Sequence, residues 1–105
     1  MNRVRALTAA DFEALAASGP AVIDFWSEFC SPCLEVARSL EEIAAQAPDR
    51  VFFGKVDVLA QPDLAARFAI ASTPTILFLR DGAVVRRLVG ARPRSHIARE
   101  VAALV

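Results

Sequence analysis

An excess of charge of either sign is missing from this sequence: among its 105 residues, twelve basic and twelve acidic side chains cancel. No long block of one sign breaks the mixture, so the electrostatic footprint that nucleic acid or an anionic membrane requires is lacking. Neither is expected as a partner, and a small neutral substrate or a protein surface fits better. A bilayer-length apolar run is absent as well. After Met1, Asn2, Arg3 and Arg5 lead into a helix-like segment and not into the apolar region of a signal peptide. A chain complete as given is therefore expected in the cytoplasm, where lasting disulfides are rare and paired thiols are more often catalytic or metal-binding. Repeats, linkers and low-complexity stretches are missing too. The length fits one compact domain, residues 1–105, whose core can fold without disulfides or metals.

The hydrophobic periods that are present alternate between strand and helix. "VRAL" suits a short edge strand, and "TAADFEALAAS" a helix with Thr8 as N-cap, Asp11 in its first turn and Phe12 and Leu15 on one face. Gly19 and Pro20 are expected to end it. "AVIDFW" is an apolar run with one acid inside, the pattern of a strand buried on both faces. "SPCLEVARSLEEIAAQA" carries Val36, Leu40 and Ile43 at helical spacing, stopped by Pro48 and Asp49. "VFFGKVDV" predicts a second buried strand, "QPDLAARFA" a short helix and "PTILFL" a third strand. Asp81 and Gly82 form a hairpin turn into "AVVRRLV", and a last helix runs from about Pro93 to Leu104 with Ile97, Val101 and Leu104 facing inward. The phenylalanines Phe12, Phe25, Phe52, Phe53, Phe68 and Phe78 read as core. Together these elements predict an α/β fold with a mixed sheet covered on both faces.

Cysteine is scarce, and its placement carries the chemistry. Cys30 and Cys33, the only two, lie three positions apart between a buried strand and a helix. A disulfide across so short a ring is worth roughly 2 kcal/mol in the loop-entropy model, against about 4.7 for a hundred-residue loop, so it is a poor staple. A tetrahedral zinc site is short of ligands, since His96 is the one other obvious soft donor. A metal or iron–sulfur cluster bridging two copies stays open. Redox chemistry fits the pattern better: Cys30 falls at a helix start, where backbone N–H groups and the dipole stabilise a thiolate, and Cys33 lies one turn in. Pro32 suits the first turn, where a missing N–H costs nothing.

With these residues in place the chain resembles the thioredoxin family along nearly its whole length. "VIDFW" before the motif, C-x-P-C within it, "KVDV" in the next strand, "TPT" before the following one and "DG…VG" near the end sit where thioredoxins place them. The resemblance implies a thioredoxin fold with a central five-stranded mixed sheet flanked by four helices. It further implies Cys30 as nucleophile, Cys33 as resolving thiol, and Pro74 in a cis peptide facing the disulfide. Asp24, an acid within an apolar strand, would have its pKa raised by burial and is a candidate proton acceptor for Cys33, with Lys55 as its modulator; the alternative is a structural Asp24–Lys55 pair. Trp26 is expected to shield the thiols by packing. Asp57 and His96 read as surface or helix-cap residues.

Departures from the family pattern concern the partner. Ordinary thioredoxins read W-C-G-P-C-K, where this chain has Phe29, Cys30, Ser31, Pro32, Cys33 and Leu34. Arg38 replaces a helix-kinking proline, which predicts a straighter helix. Thr73 replaces Ile or Val before Pro74 and is expected to bring a hydroxyl towards the sulfurs, raising the reduction potential; the alternative is that it bonds to backbone and sets only substrate fit. The expected activity is reduction of protein disulfides through the Cys30–Cys33 couple via a mixed disulfide. Substrate would dock on Phe29, Pro32, Thr73, Pro74, Gly90 and Ala91. No cofactor need be bound beyond the redox-active disulfide, electrons coming from a thioredoxin-reductase-like donor or a low-molecular-weight thiol, and the protein is expected to be a monomer. The competing reading is a thioredoxin-fold binding or chaperone-like module whose thiols only sense redox state.

Overall fold

The structure, a computed structural model, describes residues 2–105. Its elements in chain order are β1 (Val4–Ala6), α1 (Ala9–Leu15), β2 (Pro20–Trp26), α2 (Ser31–Gln46), β3 (Phe52–Asp57), α3 (Pro62–Arg67), β4 (Thr75–Arg80), β5 (Ala83–Val89) and α4 (Arg94–Leu104). The strands form one five-stranded sheet in the order β1-β3-β2-β4-β5. β1 and β2 pair parallel with β3, whereas β4 is antiparallel to both β2 and β5. This is the mixed sheet with four helices that the strand and helix periods predict.

Side chains alternate across the sheet and feed two cores. Val22, Phe53, Ile76 and Phe78 pack with Val36, Leu40 and Ile43 of α2 and Ile97 and Val101 of α4. Ala21, Ile23, Phe25, Val56, Leu77 and Leu79 pack on the opposite face with Phe12 of α1 and Leu64 of α3. β2 is central and covered on both sides, so its residues Ala21 to Phe25 are all buried. By the same period of two, Asp24 projects to the face that carries Val22.

Local chemistry fixes the boundaries. Thr8 Oγ1 accepts from the Asp11 N–H and Asp11 Oδ2 accepts from the Thr8 N–H, a reciprocal box that starts α1. α1 stops at Leu15, three residues short of the expected Ser18. The Gly19 N–H donates to Asp81 Oδ1 at 2.8 Å and Gly19 O accepts from the Asp81 N–H at 3.0 Å, so the chain must leave the helix to reach the β4–β5 turn. In that turn Asp81 and Gly82 both have positive φ, 52° and 83°, the geometry a two-residue hairpin needs. Phe52 and Phe68, expected in the core, are only partly buried at its margin. α2 continues unbroken through Arg38, which pairs with Glu35 at 2.7 Å.

Candidate active site

Cys30 and Cys33 are joined by a disulfide, with Cα atoms 5.4 Å apart. Cys30 is the N-cap of α2 and Pro32 lies in its first turn, so the disulfide sits at the positive end of a sixteen-residue helix. The approach from β2 is a tight turn: the Cys30 N–H donates to Ser27 O at 3.1 Å and the Phe29 N–H to Ser27 Oγ at 3.1 Å. This turn throws Phe29 outward, where it is 82% exposed. Cys33, one turn into the helix, is 4% exposed, whereas Cys30 is only partly buried.

Strand pairing assembles the second half of the site. Phe25 lies opposite Thr75 in the antiparallel β2–β4 pair. The residues after Phe25 and those before Thr75 therefore share one end of the sheet. At that end the Thr73–Pro74 peptide is cis, and Pro74 is buried. The Gly90 N–H donates to Pro74 O at 2.8 Å, which holds the Gly90–Ala91 segment against Thr73–Pro74. Ser31, Pro32 and Ala91 are exposed, and Thr73 and Gly90 partly buried. No hydrogen bond among the described residues joins the Thr73 hydroxyl to either sulfur; its neighbour Thr75 donates its own hydroxyl to Ser72 O at 2.7 Å.

Beneath the disulfide, Asp24 and Lys55 are register partners across β2 and β3. Asp24 is 1% exposed, and its Oδ1 has no hydrogen-bonding partner among the described residues. Burial raises its pKa from the ordinary 3.8 to about 7, and the Lys55 charge opposes that rise without cancelling it. A cavity of about 280 Å³ connects Asp24 and Lys55 with Cys30 and Cys33, walled by Trp26 and by Leu34 and Ala37 of α2. The acid and the buried thiol thus face one small apolar space. Trp26 and Lys55 also border a second cavity on the side of Asp57, whose Oδ1 accepts from the Leu59 and Ala60 N–H groups ahead of α3. His96 lies in α4 beside Glu100 at 3.7 Å. Among the described residues no group of three or more His, Cys, Asp or Glu could hold a metal ion, and no helix is long and apolar enough to cross a membrane.

Leu34 and Ala37, not among the expected site residues, also border the cavity beneath the disulfide. Their helical spacing from Cys30 and Cys33 was the available signal, since residues three and four apart share a helix face.

The site is thus a disulfide at a helix N-terminus, above a buried acid and beside a cis-proline segment. The sequence profile of the family described as Thioredoxin matches residues 3–103. This chain belongs to the thioredoxin family. It is 43% identical over 91 residues to a thioredoxin of Mycolicibacterium smegmatis, spanning 85% of this chain and 81% of that one. It is 37% identical over 92 residues to a thioredoxin of Staphylococcus aureus, covering 88% of each. Among solved structures, the thioredoxin of Malassezia sympodialis superposes with a TM-score of 0.89 at 30% identity, over 99% of this chain and 92% of that one. A thioredoxin variant from Halobacterium salinarum superposes with a TM-score of 0.90 at 19% identity, over 97% and 90%, a likeness of fold. Membership and the Cys30–Cys33 disulfide make the chain a thiol:disulfide oxidoreductase of protein-disulfide-reductase type.

Proposed function

We propose that Cys30 is the attacking thiol, Cys33 the resolving thiol and Asp24 the proton acceptor that times the second step. The Cys30 thiolate attacks one sulfur of a protein disulfide, forms a mixed disulfide and expels the first substrate thiolate. The Cys33 thiol then gives its proton to Asp24 and attacks the Cys30 sulfur. The Cys30–Cys33 disulfide forms, the second substrate thiolate leaves and takes up a proton, and two electrons have passed to the substrate. Lys55 holds the Asp24 pKa within reach of neutral pH, and Trp26 and Ser31 shape the surroundings of the thiols. Substrate lies over Phe29 and Pro32 and along Thr73, Pro74, Gly90 and Ala91.

The observation that carries this reading is the shared cavity, which has the resolving sulfur and an acid of pKa about 7 on its walls. An acid titrating near the working pH is suited to take a thiol proton and return it. A binding module has no need of it. The dithiol would be regenerated by a thioredoxin-reductase-like donor or a low-molecular-weight thiol, in a monomeric protein working in the reducing cytoplasm.

Titration of the Cys30–Cys33 couple against glutathione tests the direction of flow. A potential at or below the cytosolic glutathione poise, roughly −220 to −260 mV by extraction, is expected for a reductant. A value well above it assigns oxidase or isomerase work, and a couple that no donor recycles assigns a binding or chaperone-like module.

A further inference from the structure

The two most exposed large apolar side chains among the described residues bracket the disulfide. Phe29, 82% exposed, precedes Cys30, and Leu34, 73% exposed, follows Cys33. Leu34 stands four residues after Cys30 on α2, one helical turn beyond it on the same face, and helical side chains lean towards the N-terminus. Its side chain therefore inclines towards the Cys30 end of the site. It is also a wall of the cavity that reaches Asp24. A side chain that is both a cavity wall and largely in solvent stands at the cavity's mouth.

We infer that Leu34 is a specificity-determining residue: it receives an apolar side chain next to the target cysteine of a protein substrate. This deepens the reductase reading and rests on it. The occupant follows from the surroundings. A target sulfur that reaches Cys30 brings its neighbouring residues over Phe29 and Leu34. The charges nearest to Leu34 on α2, Glu35 and Arg38, neutralise one another at 2.7 Å. The charged residues that line the cavity are the exposed Glu28, the partly buried Lys55 and the buried Asp24. An apolar neighbour buries Leu34 and Phe29 together, whereas a charged one loses water against the Leu34 side chain, which offers it no hydrogen bond. Seated on Leu34, the occupant also covers the cavity mouth while the mixed disulfide is resolved.

Three disulfide-bridged peptides that differ only in carrying Leu, Lys or Glu beside the target cysteine provide the test. Steady-state reduction of each is measured with the wild-type protein, Leu34→Gln and Leu34→Met. The wild type is expected to show a KM roughly tenfold lower for the Leu peptide than for the other two, the scale set by burying one aliphatic side chain. In Leu34→Gln, similar in size and neutral, the three KM values should converge, and Leu34→Met should restore the preference. Retention of the full preference in Leu34→Gln would assign it to Phe29 and overturn the proposal. A wild-type preference for the Lys peptide would overturn it too, in favour of Glu28. Failure to reduce any of the three peptides would instead remove the reductase reading, and this proposal with it.

Discussion

Asp24 and Lys55 are paired in register across neighbouring strands, yet Asp24 Oδ1 accepts no hydrogen bond among the described residues. The pair is therefore unlike a closed structural ion pair, in which the carboxylate oxygens are satisfied and the pKa falls. Here burial outweighs the lysine, and the carboxyl titrates near about 7. A site left so costly to ionise is one that structure alone does not require.

The stability of the oxidised protein should carry the signature of this group. Because the folded pKa of Asp24 lies above its ordinary 3.8, the folded state holds the proton more tightly than the unfolded chain does. The contribution is fully present below about pH 4 and is lost as pH rises through about 7. With about 1.4 kcal/mol for each pH unit, the loss amounts to about 4 kcal/mol. Asp24→Asn should be the more stable protein at pH 8.5, and the difference should shrink towards pH 4. Urea unfolding of both proteins across that range measures it; parallel curves would mean that the folded pKa is not raised.

Catalysis should show the opposite preference. If the ionised carboxylate accepts the Cys33 proton as proposed, release of substrate from the mixed disulfide should accelerate as pH rises through about 7 and then level off. Asp24→Asn should lose that inflection and slow by something like 10²-fold, the usual scale of a general-base contribution. Single-turnover release between pH 6 and 8 decides the matter, and an unchanged rate would reduce Asp24 to a packing residue.

Much of this was legible in the sequence because it follows from local periods. The apolar run around Asp24, the helix after Cys30 and the Asp81–Gly82 hairpin each announce themselves within a few residues. What was not legible depends on contacts between distant segments. The early end of α1 is set by Gly19 meeting Asp81, 62 residues away. Phe68 has the spacing of a core residue, but it lies at the margin, where the Arg67 guanidinium stacks 5.0 Å from its ring centroid. Lys55 could be proposed as the neighbour of Asp24 from resemblance, whereas its register opposite Asp24 exists only once β2 and β3 pair. Leu34 reads in the sequence as a change of residue after Cys33; its exposure and its place at the cavity mouth needed the folded helix.

Gly54 tests the packing that holds β3, and with it Lys55, in place. A Cβ built there would lie 2.6 Å from Leu7 Cδ1 and 2.9 Å from Phe52 Cε2, closer than side-chain atoms pack. Leu7 is itself 5% exposed, so it has little room to withdraw. Gly54→Ala should therefore destabilise the protein by about 1–3 kcal/mol, the usual cost of overpacking. Thermal or urea unfolding measures the loss. A variant as stable as the wild type would show that Leu7 and Phe52 can shift freely.

The order of the two thiols is the step on which the reaction scheme stands. Cys30 caps α2 and is only partly buried, so an incoming disulfide can reach it and the helix N-terminus can stabilise its thiolate. Cys33 is 4% exposed and borders the cavity that leads to Asp24, which suits a thiol attacked by nothing from outside and deprotonated from within. Cys33→Ser should therefore accumulate mixed disulfides with substrate proteins, because the first attack proceeds and the second cannot. Cys30→Ser should trap none, since the remaining thiol is out of reach. In the reduced wild-type protein, alkylation at mildly acidic pH should modify Cys30 first, as mass spectrometry of the labelled peptide would report. Adducts formed by Cys30→Ser, or labelling of Cys33 ahead of Cys30, would exchange the roles of attacking and resolving thiol and leave Asp24 beside the wrong sulfur.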